Sequence, residues 1–138
     1  MKGSENEARL DGRLVVITGA NTGIGKVTAL DMSKRGARVI MLCRSLDKAK
    51  EACADIAKEA GGAGGAVECE KLDLASLASV RECATKLLNR EEKIDLLINN
   101  AGVMTCPNWK TEDGFDMQLG TNHLGEGRSF CNKRARTI

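Results

Sequence analysis

A glycine-rich turn with the sequence TGANTGIGK occupies residues 18–26. It closes the apolar run LVVIT at 14–18, which predicts a buried strand, and it opens a segment with helical features. Glycines in such a turn let the backbone approach a pyrophosphate, and the N-terminus of the helix offers free N–H groups to an anion. We therefore predict phosphate binding here rather than a purely structural turn. The candidate binding residues are Gly19, Asn21, Thr22, Gly23, Ile24 and Gly25.

A basic residue, Arg44, follows the second predicted strand, and the next carboxylate in the chain is that of Asp47. A site for NAD usually carries an acidic residue about 20 residues beyond the glycines, where it holds the ribose 2′-hydroxyl. A guanidinium group instead pairs with a 2′-phosphate, which a carboxylate would repel. This arrangement predicts NADP(H) as the cofactor, with Lys48 as a second candidate contact. The alternative is that Arg44 is an ordinary surface arginine.

Strands and helices alternate along the chain, which predicts an α/β fold with a parallel sheet. The predicted strands cover about 14–18, 37–43, 67–72 and 94–99, and the predicted helices end near 35 and 60 and run from 77 to about 89. Ser45 is a candidate cap for the second helix, and a further helix is expected over about 111–124. We predict a polar lead-in at 1–10, a single dinucleotide-binding unit at 11–125 and a divergent basic tail at 126–138.

Three motifs together resemble the short-chain dehydrogenase/reductase family. Residues 18–25 are similar to its T-G-x-x-x-G-I-G fingerprint, residues 99–102 to its N-N-A-G element, and Asp73 with Leu74 to its adenine-binding position. The resemblance implies a Rossmann-type doubly wound parallel sheet, of which the N-terminal part with strand order 3-2-1-4 is expected here. The further cofactor-binding residues that it implies are Asp73, Leu74, Asn99, Ala101 and Gly102.

Several shorter segments resemble the retinol dehydrogenase branch of this family. They are LCRS, LDLASL, NNAGVM, TEDGF and NHLG. The resemblance implies NADP(H)-dependent interconversion of alcohols and aldehydes, with a retinoid or similar small molecule as substrate. Asn122 matches the active-site asparagine of the family, which anchors a proton-relay water, and is the candidate catalytic residue. The neighbouring His123 has no visible nucleophile partner, and we interpret it as structural.

The sequence contains no tyrosine. The family uses a tyrosine as general acid, with a lysine four residues later and a serine on the carbonyl oxygen, and all three follow N-H-L-G. Beyond Gly125 the pattern turns polar and basic, which we interpret as truncation by a frameshift, a splicing event or a gene-model error. We therefore expect an inactive chain of an oxidoreductase family, with the fourth strand left as an uncovered sheet edge. The alternative is a non-catalytic NADP(H)-binding module or regulator.

The overall composition limits the classes of binding partner that we expect. A net charge of +2 gives no support for nucleic acid or a membrane surface as a partner, and a nucleic-acid role for the short basic tail is not favoured. The six cysteines show no C-x-x-C spacing, so no metal site is predicted. No apolar run reaches the roughly 18 residues of a membrane span. We expect a soluble chain from a reducing compartment, of otherwise unknown localisation, and no oligomer without the family's interface helices.

Overall fold

The computed structural model describes residues 8–102, 109–125 and 136–137. The described strands are β1 (Leu14–Thr18), β2 (Arg38–Cys43), β3 (Val67–Lys71), β4 (Leu96–Ile98) and β5 (Arg136–Thr137). The described helices are α1 (Gly23–Lys34), α2 (Leu46–Ala60), α3 (Leu77–Arg90) and the short α4 (Met117–Leu119). Wider π-type helical turns continue from α4 over Gly120–Gly125.

The sheet is parallel throughout the described residues, in the order β3-β2-β1-β4-β5. The predicted order 3-2-1-4 and the Rossmann-type fold class are therefore confirmed. The expectation of an uncovered fourth strand is wrong, because β5 pairs with β4 through Leu96 opposite Arg136 and Leu97 opposite Thr137. This pairing gives hydrogen-bond partners to backbone groups of β4 that would otherwise form a sheet edge.

The two central strands are buried on both faces. Every residue of β1 is buried, as is β2 from Val39 onwards. Successive side chains of a strand point to opposite faces, so one continuous apolar run serves two cores. Val16 and Ile40 belong to the core that includes Leu87 of α3, whereas Ile17 and Met41 belong to the core that includes Ile56 of α2.

The helix predicted over about 111–124 begins later than expected, at Met117. Residues 111–115 form a tight turn in which the Gly114 N–H donates to the Thr111 carbonyl oxygen at 2.9 Å. Gly114 has a φ of +84°, in the left-handed region that ends a regular helix pattern. Asp116 then starts the helix, because its carboxylate accepts the N–H groups of Gln118 and Leu119.

The N-terminus of α2 also differs in detail from the prediction. Ser45 occupies the capping position with extended backbone angles, but its side chain makes no capping hydrogen bond. Ser76 does cap α3, since its hydroxyl oxygen accepts the Ser79 N–H at 3.2 Å. Across the described residues, no helix has both the length and the apolar character that crossing a membrane requires.

Candidate functional site

A groove of about 700 Å³ lies where the strands β1–β4 reach their carboxyl ends. In parallel α/β sheets this edge is the usual place for a ligand, because the loops of neighbouring strands converge there. Most of the residues predicted from the sequence line it. The lining residues are Gly19, Asn21, Thr22, Ile24, Gly25, Leu42, Cys43, Arg44, Leu72, Asp73, Leu74, Ala75, Asn100, Ala101, Gly102, Met117 and Thr121.

Two glycines of the first turn permit close packing beneath this groove. A Cβ atom at Gly19 would lie 2.8 Å from the Cα atom of Ala101, and Gly19 has a φ of +63°. A Cβ atom at Gly25 would lie 2.6 Å from the Gly19 carbonyl oxygen and would also collide with the Asn100 side-chain amide. Any side chain at either position would push the turn away from the residues that follow β4.

The N-terminus of α1 is open to a ligand. Thr22 stands at the capping position in extended conformation, but its side chain makes no capping hydrogen bond, and the first turn holds no acidic residue. A Cβ atom at Gly23 would meet no atom within 4 Å. The first N–H groups of α1 therefore have no side-chain cap, and the positive end of the helix dipole favours an anion there.

The two neighbouring asparagines after β4 have different surroundings. Asn99 is exposed and does not line the groove, whereas Asn100 is partly buried and lines it. The Asn100 side-chain amide donates to the carbonyl oxygens of Thr18 and Gly19, each at 3.1 Å. The sequence analysis predicted Asn99 and not Asn100 as a cofactor-binding residue. The second asparagine of N-N-A-G could have identified Asn100.

Arg44 is an exposed cation at the end of β2 that lines the groove. Within the described parts of the chain, its guanidinium makes neither an ion pair nor a side-chain hydrogen bond. Lys26, by contrast, is paired with Asp55 at 2.7 Å. Lys48 is exposed on the first turn of α2 and is not among the residues that line the groove.

The loop after β3 is fixed in shape by its own hydrogen bonds. The Asp73 carboxylate accepts the Ala75 N–H at 2.9 Å, and the Asp73 N–H donates to the Ser79 hydroxyl oxygen at 2.9 Å. Leu74 is buried beside the groove. The loop thus presents a carboxylate and an apolar side chain from a defined backbone.

Asn122 is not among the residues that line the groove, but it lies beside Gly102, which does. A Cβ atom built on Gly102 would be 3.5 Å from the Asn122 side-chain oxygen. Thr121, the preceding residue, lines the groove and donates its hydroxyl to the Met117 sulfur at 3.5 Å. The assignment of Asn122 as a catalytic residue stays a prediction. The side chain of His123 lies outside the described residues.

Cys43 lies under the glycine-rich turn and contributes to the groove wall. Burial raises the pKa of its thiol, and hydrogen bonds from the backbone N–H groups of Ala20 and Asn21 lower it by less. The thiol is therefore neutral near pH 7. In the described residues, no group of three or more histidine, cysteine or acidic side chains could hold a metal ion.

The family model described as short chain dehydrogenase matches residues 13–125. The chain belongs to the short-chain dehydrogenase family. Human retinol dehydrogenase 13 is 52% identical over 120 residues, which cover 87% of this chain and 36% of that protein. The chain thus spans about a third of the length of this curated relative.

Similar solved structures share the fold. A protein from Mycobacterium paratuberculosis is 44% identical with a TM-score of 0.75, covering 88% of this chain and 41% of that one. A short-chain dehydrogenase from Sphingobium yanoikuyae in complex with NADPH is 28% identical with a TM-score of 0.70, covering 85% and 45%. The resemblance predicted from the sequence, including its retinol dehydrogenase branch, is therefore confirmed, and a nicotinamide cofactor is supported for this short-chain dehydrogenase.

Proposed function

We propose that this short-chain dehydrogenase binds NADP(H) in the groove. We further propose that it forms the cofactor-binding part of a retinol dehydrogenase-type oxidoreductase, which interconverts alcohols and aldehydes such as retinoids by hydride transfer. The observation that carries the cofactor choice is Arg44, an exposed guanidinium that lines the groove and has no ion-pair partner in the described chain. When bound, the cofactor would supply or accept the hydride.

The charges of the groove favour NADP(H) over NAD(H). Among the described residues that line the groove, Arg44 is the single basic side chain and Asp73 the single acidic one. Arg44 follows β2, the strand end at which NAD-binding folds place a carboxylate for the 2′-hydroxyl. A guanidinium at that point would pair with a 2′-phosphate through charge-assisted hydrogen bonds. The similar structure from Sphingobium yanoikuyae contains NADPH.

The remaining groove residues fit the other parts of a dinucleotide. The uncapped N-terminus of α1 suits the pyrophosphate, because its N–H groups and dipole favour negative charge. Asp73 and Leu74 offer one carboxylate and one apolar side chain to the adenine. Ala101 and Gly102 lie after β4 on the way to Asn122, where the reacting end of the cofactor is expected.

We propose that these 138 residues bind the cofactor without turning over substrate by themselves. Reduction of a carbonyl needs a proton donor at its oxygen, and the family's donor is a tyrosine, of which this sequence has none. Asn122 would hold a relay water but cannot replace that acid. The second candidate function, a non-catalytic NADP(H)-binding module or regulator, rests on the same observation.

Cofactor binding is tested by titrating the chain with NADPH and with NADH. Calorimetry gives the affinity for each nucleotide, and the emission of Trp109, the single tryptophan, is followed as a second readout. We expect Arg44→Ala to weaken NADPH binding by about 10- to 100-fold, since hydrogen bonds to charged groups contribute about 1.5–3 kcal/mol. Binding of NADH should change little. Arg81→Ala, at an exposed arginine of α3, is the matched control.

Equal NADPH affinities of Arg44→Ala and Arg81→Ala would refute the cofactor choice. Absence of binding to either nucleotide by the folded wild-type chain would refute the cofactor site itself. Turnover is tested separately by incubating the pure chain with NADPH and retinaldehyde. We expect no loss of NADPH absorbance. Measurable formation of retinol would show that the reaction proceeds without a tyrosine as the catalytic acid.

A further inference from the structure

Residues 109–122 form a segment that we name the bridging arm, and two hydrogen bonds join it to the first residue of α3 and to the loop before that helix. The Leu77 N–H donates to the Asp113 carboxylate at 2.8 Å, across 36 positions of sequence. The Glu112 N–H donates to the Ala75 carbonyl oxygen at 3.0 Å. The second bond holds the arm against the loop that carries Asp73, which forms one wall of the groove, and the first holds it against the start of α3 directly after that loop.

The C-terminal end of the bridging arm lies at the side of the groove formed by the residues after β4. Met117 and Thr121 line it, and Asn122 lies beside Gly102 after β4. The arm therefore spans from the loop after β3 to the residues after β4. A shift of the arm would therefore change the distance between the loop after β3, proposed to contact the adenine, and the residues after β4, proposed to lie near the reacting end of the cofactor.

The arm is internally well connected, so a constraint at one end reaches the other. The Thr111 N–H donates to the Phe115 carbonyl oxygen at 2.8 Å, and the Phe115 N–H donates to the Thr111 hydroxyl oxygen at 3.2 Å. Gly120 packs directly against Thr111, since a Cβ atom there would collide with the Thr111 methyl group. The turn at 111–115 and the helical turns from 117 onwards are thereby held together.

Asp113 accepts a hydrogen bond from a backbone N–H at the N-terminus of α3, where the helix itself offers no acceptor. Leu77 is the first residue of α3, and first-turn N–H groups have no partner within a helix. Ser76 caps the N–H of Ser79 and leaves that of Leu77 to Asp113. The first turn of α3 has no acidic residue, so Asp113 also supplies the negative charge that favours a helix N-terminus.

We propose that Asp113 is a positioning residue, which fixes the start of α3 against the bridging arm and thereby holds the preceding adenine-side loop 73–75 in place for the nucleotide. The inference rests on the proposed NADP(H) function. Asp113 does not line the groove and acts through the loop and the arm. It gives a role to the TEDGF segment that its resemblance alone does not explain.

The test compares Asp113→Ala and Asp113→Asn in the full 138-residue chain, with Glu92→Ala as an exposed acidic control at the opposite sheet edge. Calorimetry measures the affinity for NADPH and for adenosine 2′,5′-bisphosphate, which represents the adenine half alone. We expect Asp113→Ala to weaken both by about tenfold. Asp113→Asn keeps an oxygen acceptor for the Leu77 N–H and should stay within about threefold of the wild type. Thermal unfolding confirms that each variant is folded.

Amide hydrogen exchange of the ligand-free chain provides a readout at the contact itself. We expect Asp113→Ala to accelerate exchange at the Leu77 amide by about tenfold and Asp113→Asn to restore most of the protection. Wild-type affinity in Asp113→Ala, or equal losses in the alanine and asparagine variants, would overturn the positioning role while leaving the NADP(H) site intact. A wild-type chain that binds neither nucleotide would instead overturn the proposed function, and this inference with it.

Discussion

The Thr18 hydroxyl oxygen accepts two hydrogen bonds from the segment after β4, the first from the Asn100 N–H at 3.1 Å and the second from the Ala101 N–H at 3.0 Å. The Asn100 side-chain amide also donates to the Thr18 carbonyl oxygen, at 3.1 Å. Thr18 is fully buried. These three bonds join the end of β1 to the segment that follows β4 directly below the groove, so the floor of the site is built at the carboxyl end of the sheet.

Replacing Asn100 should therefore lower the stability of the folded chain. We expect Asn100→Ala to lower the free energy of unfolding by about 1–3 kcal/mol, because the carbonyl oxygens of Thr18 and Gly19 lose their side-chain donor. Urea unfolding followed by circular dichroism measures the change. The exposed neighbour provides the control, and Asn99→Ala should change the unfolding free energy by less than about 0.5 kcal/mol. Equal effects of the two variants would contradict this account.

The packing of the first turn gives a second prediction. Gly25→Ala should abolish measurable NADPH binding, because the new Cβ atom would collide with the Asn100 amide and lie 2.6 Å from the Gly19 carbonyl oxygen. Gly62→Ala is the matched control, since a Cβ atom there meets nothing within 4 Å. Calorimetry with NADPH distinguishes them. Binding by Gly25→Ala with wild-type affinity would show that the turn can move without consequence.

The acid stability of the fold should depend on Asp95, at the start of β4. The Lys93 ammonium group at 2.7 Å, the Leu14 N–H at 2.9 Å and the Arg13 guanidinium lower the pKa of the Asp95 carboxyl to about 2. Its folded pKa thus lies below the unfolded value of about 3.9. The resulting stabilisation is present above about pH 4 and is lost as the pH falls towards 2.

We therefore expect Asp95→Asn to lower the unfolding free energy at pH 7 by about 1–2 kcal/mol, an amount reduced for solvent screening. The difference from the wild type should shrink between about pH 4 and pH 2. Urea unfolding at a series of pH values measures it, with Glu51→Gln, at an exposed position of α2, as the control variant. A penalty for Asp95→Asn that is as large at pH 2 as at pH 7 would argue against the ionised carboxylate as its source.

The thiols of Cys53, which is half-buried, and Cys83, which is buried, should react slowly in the native chain. Burial raises the pKa of Cys53 to about 12 and that of Cys83 to about 11, so little of the reactive thiolate exists at pH 8. We expect iodoacetamide to label both at least about tenfold more slowly in buffer than in urea, measured by peptide mass spectrometry. Labelling of Cys83 at the unfolded rate in buffer would show that its helix opens readily.

Local sequence patterns determined where the central strands, the first turn and the helices of this protein form. The run 14–18, the glycines after it and the periodicity of α3 depend on side chains within a few residues, and all were predicted in place. The parallel sheet order followed from the alternation of strands and helices and from the family resemblance. Arg44 was also found from its position alone, because the end of β2 always faces the same edge of such a sheet.

Tertiary structure decided the contacts between distant segments. The choice of Asn100 over Asn99 for the groove depends on which of two adjacent side chains faces Thr18, and the sequence offers no difference between them. The bond from Leu77 to Asp113 joins residues 36 positions apart and forms because the bridging arm lies against the start of α3. The pairing of β5 with β4 joins residues 40 positions apart. Such contacts depend on where the chain returns in space, whereas a periodic pattern reports only the surroundings of each element along the chain.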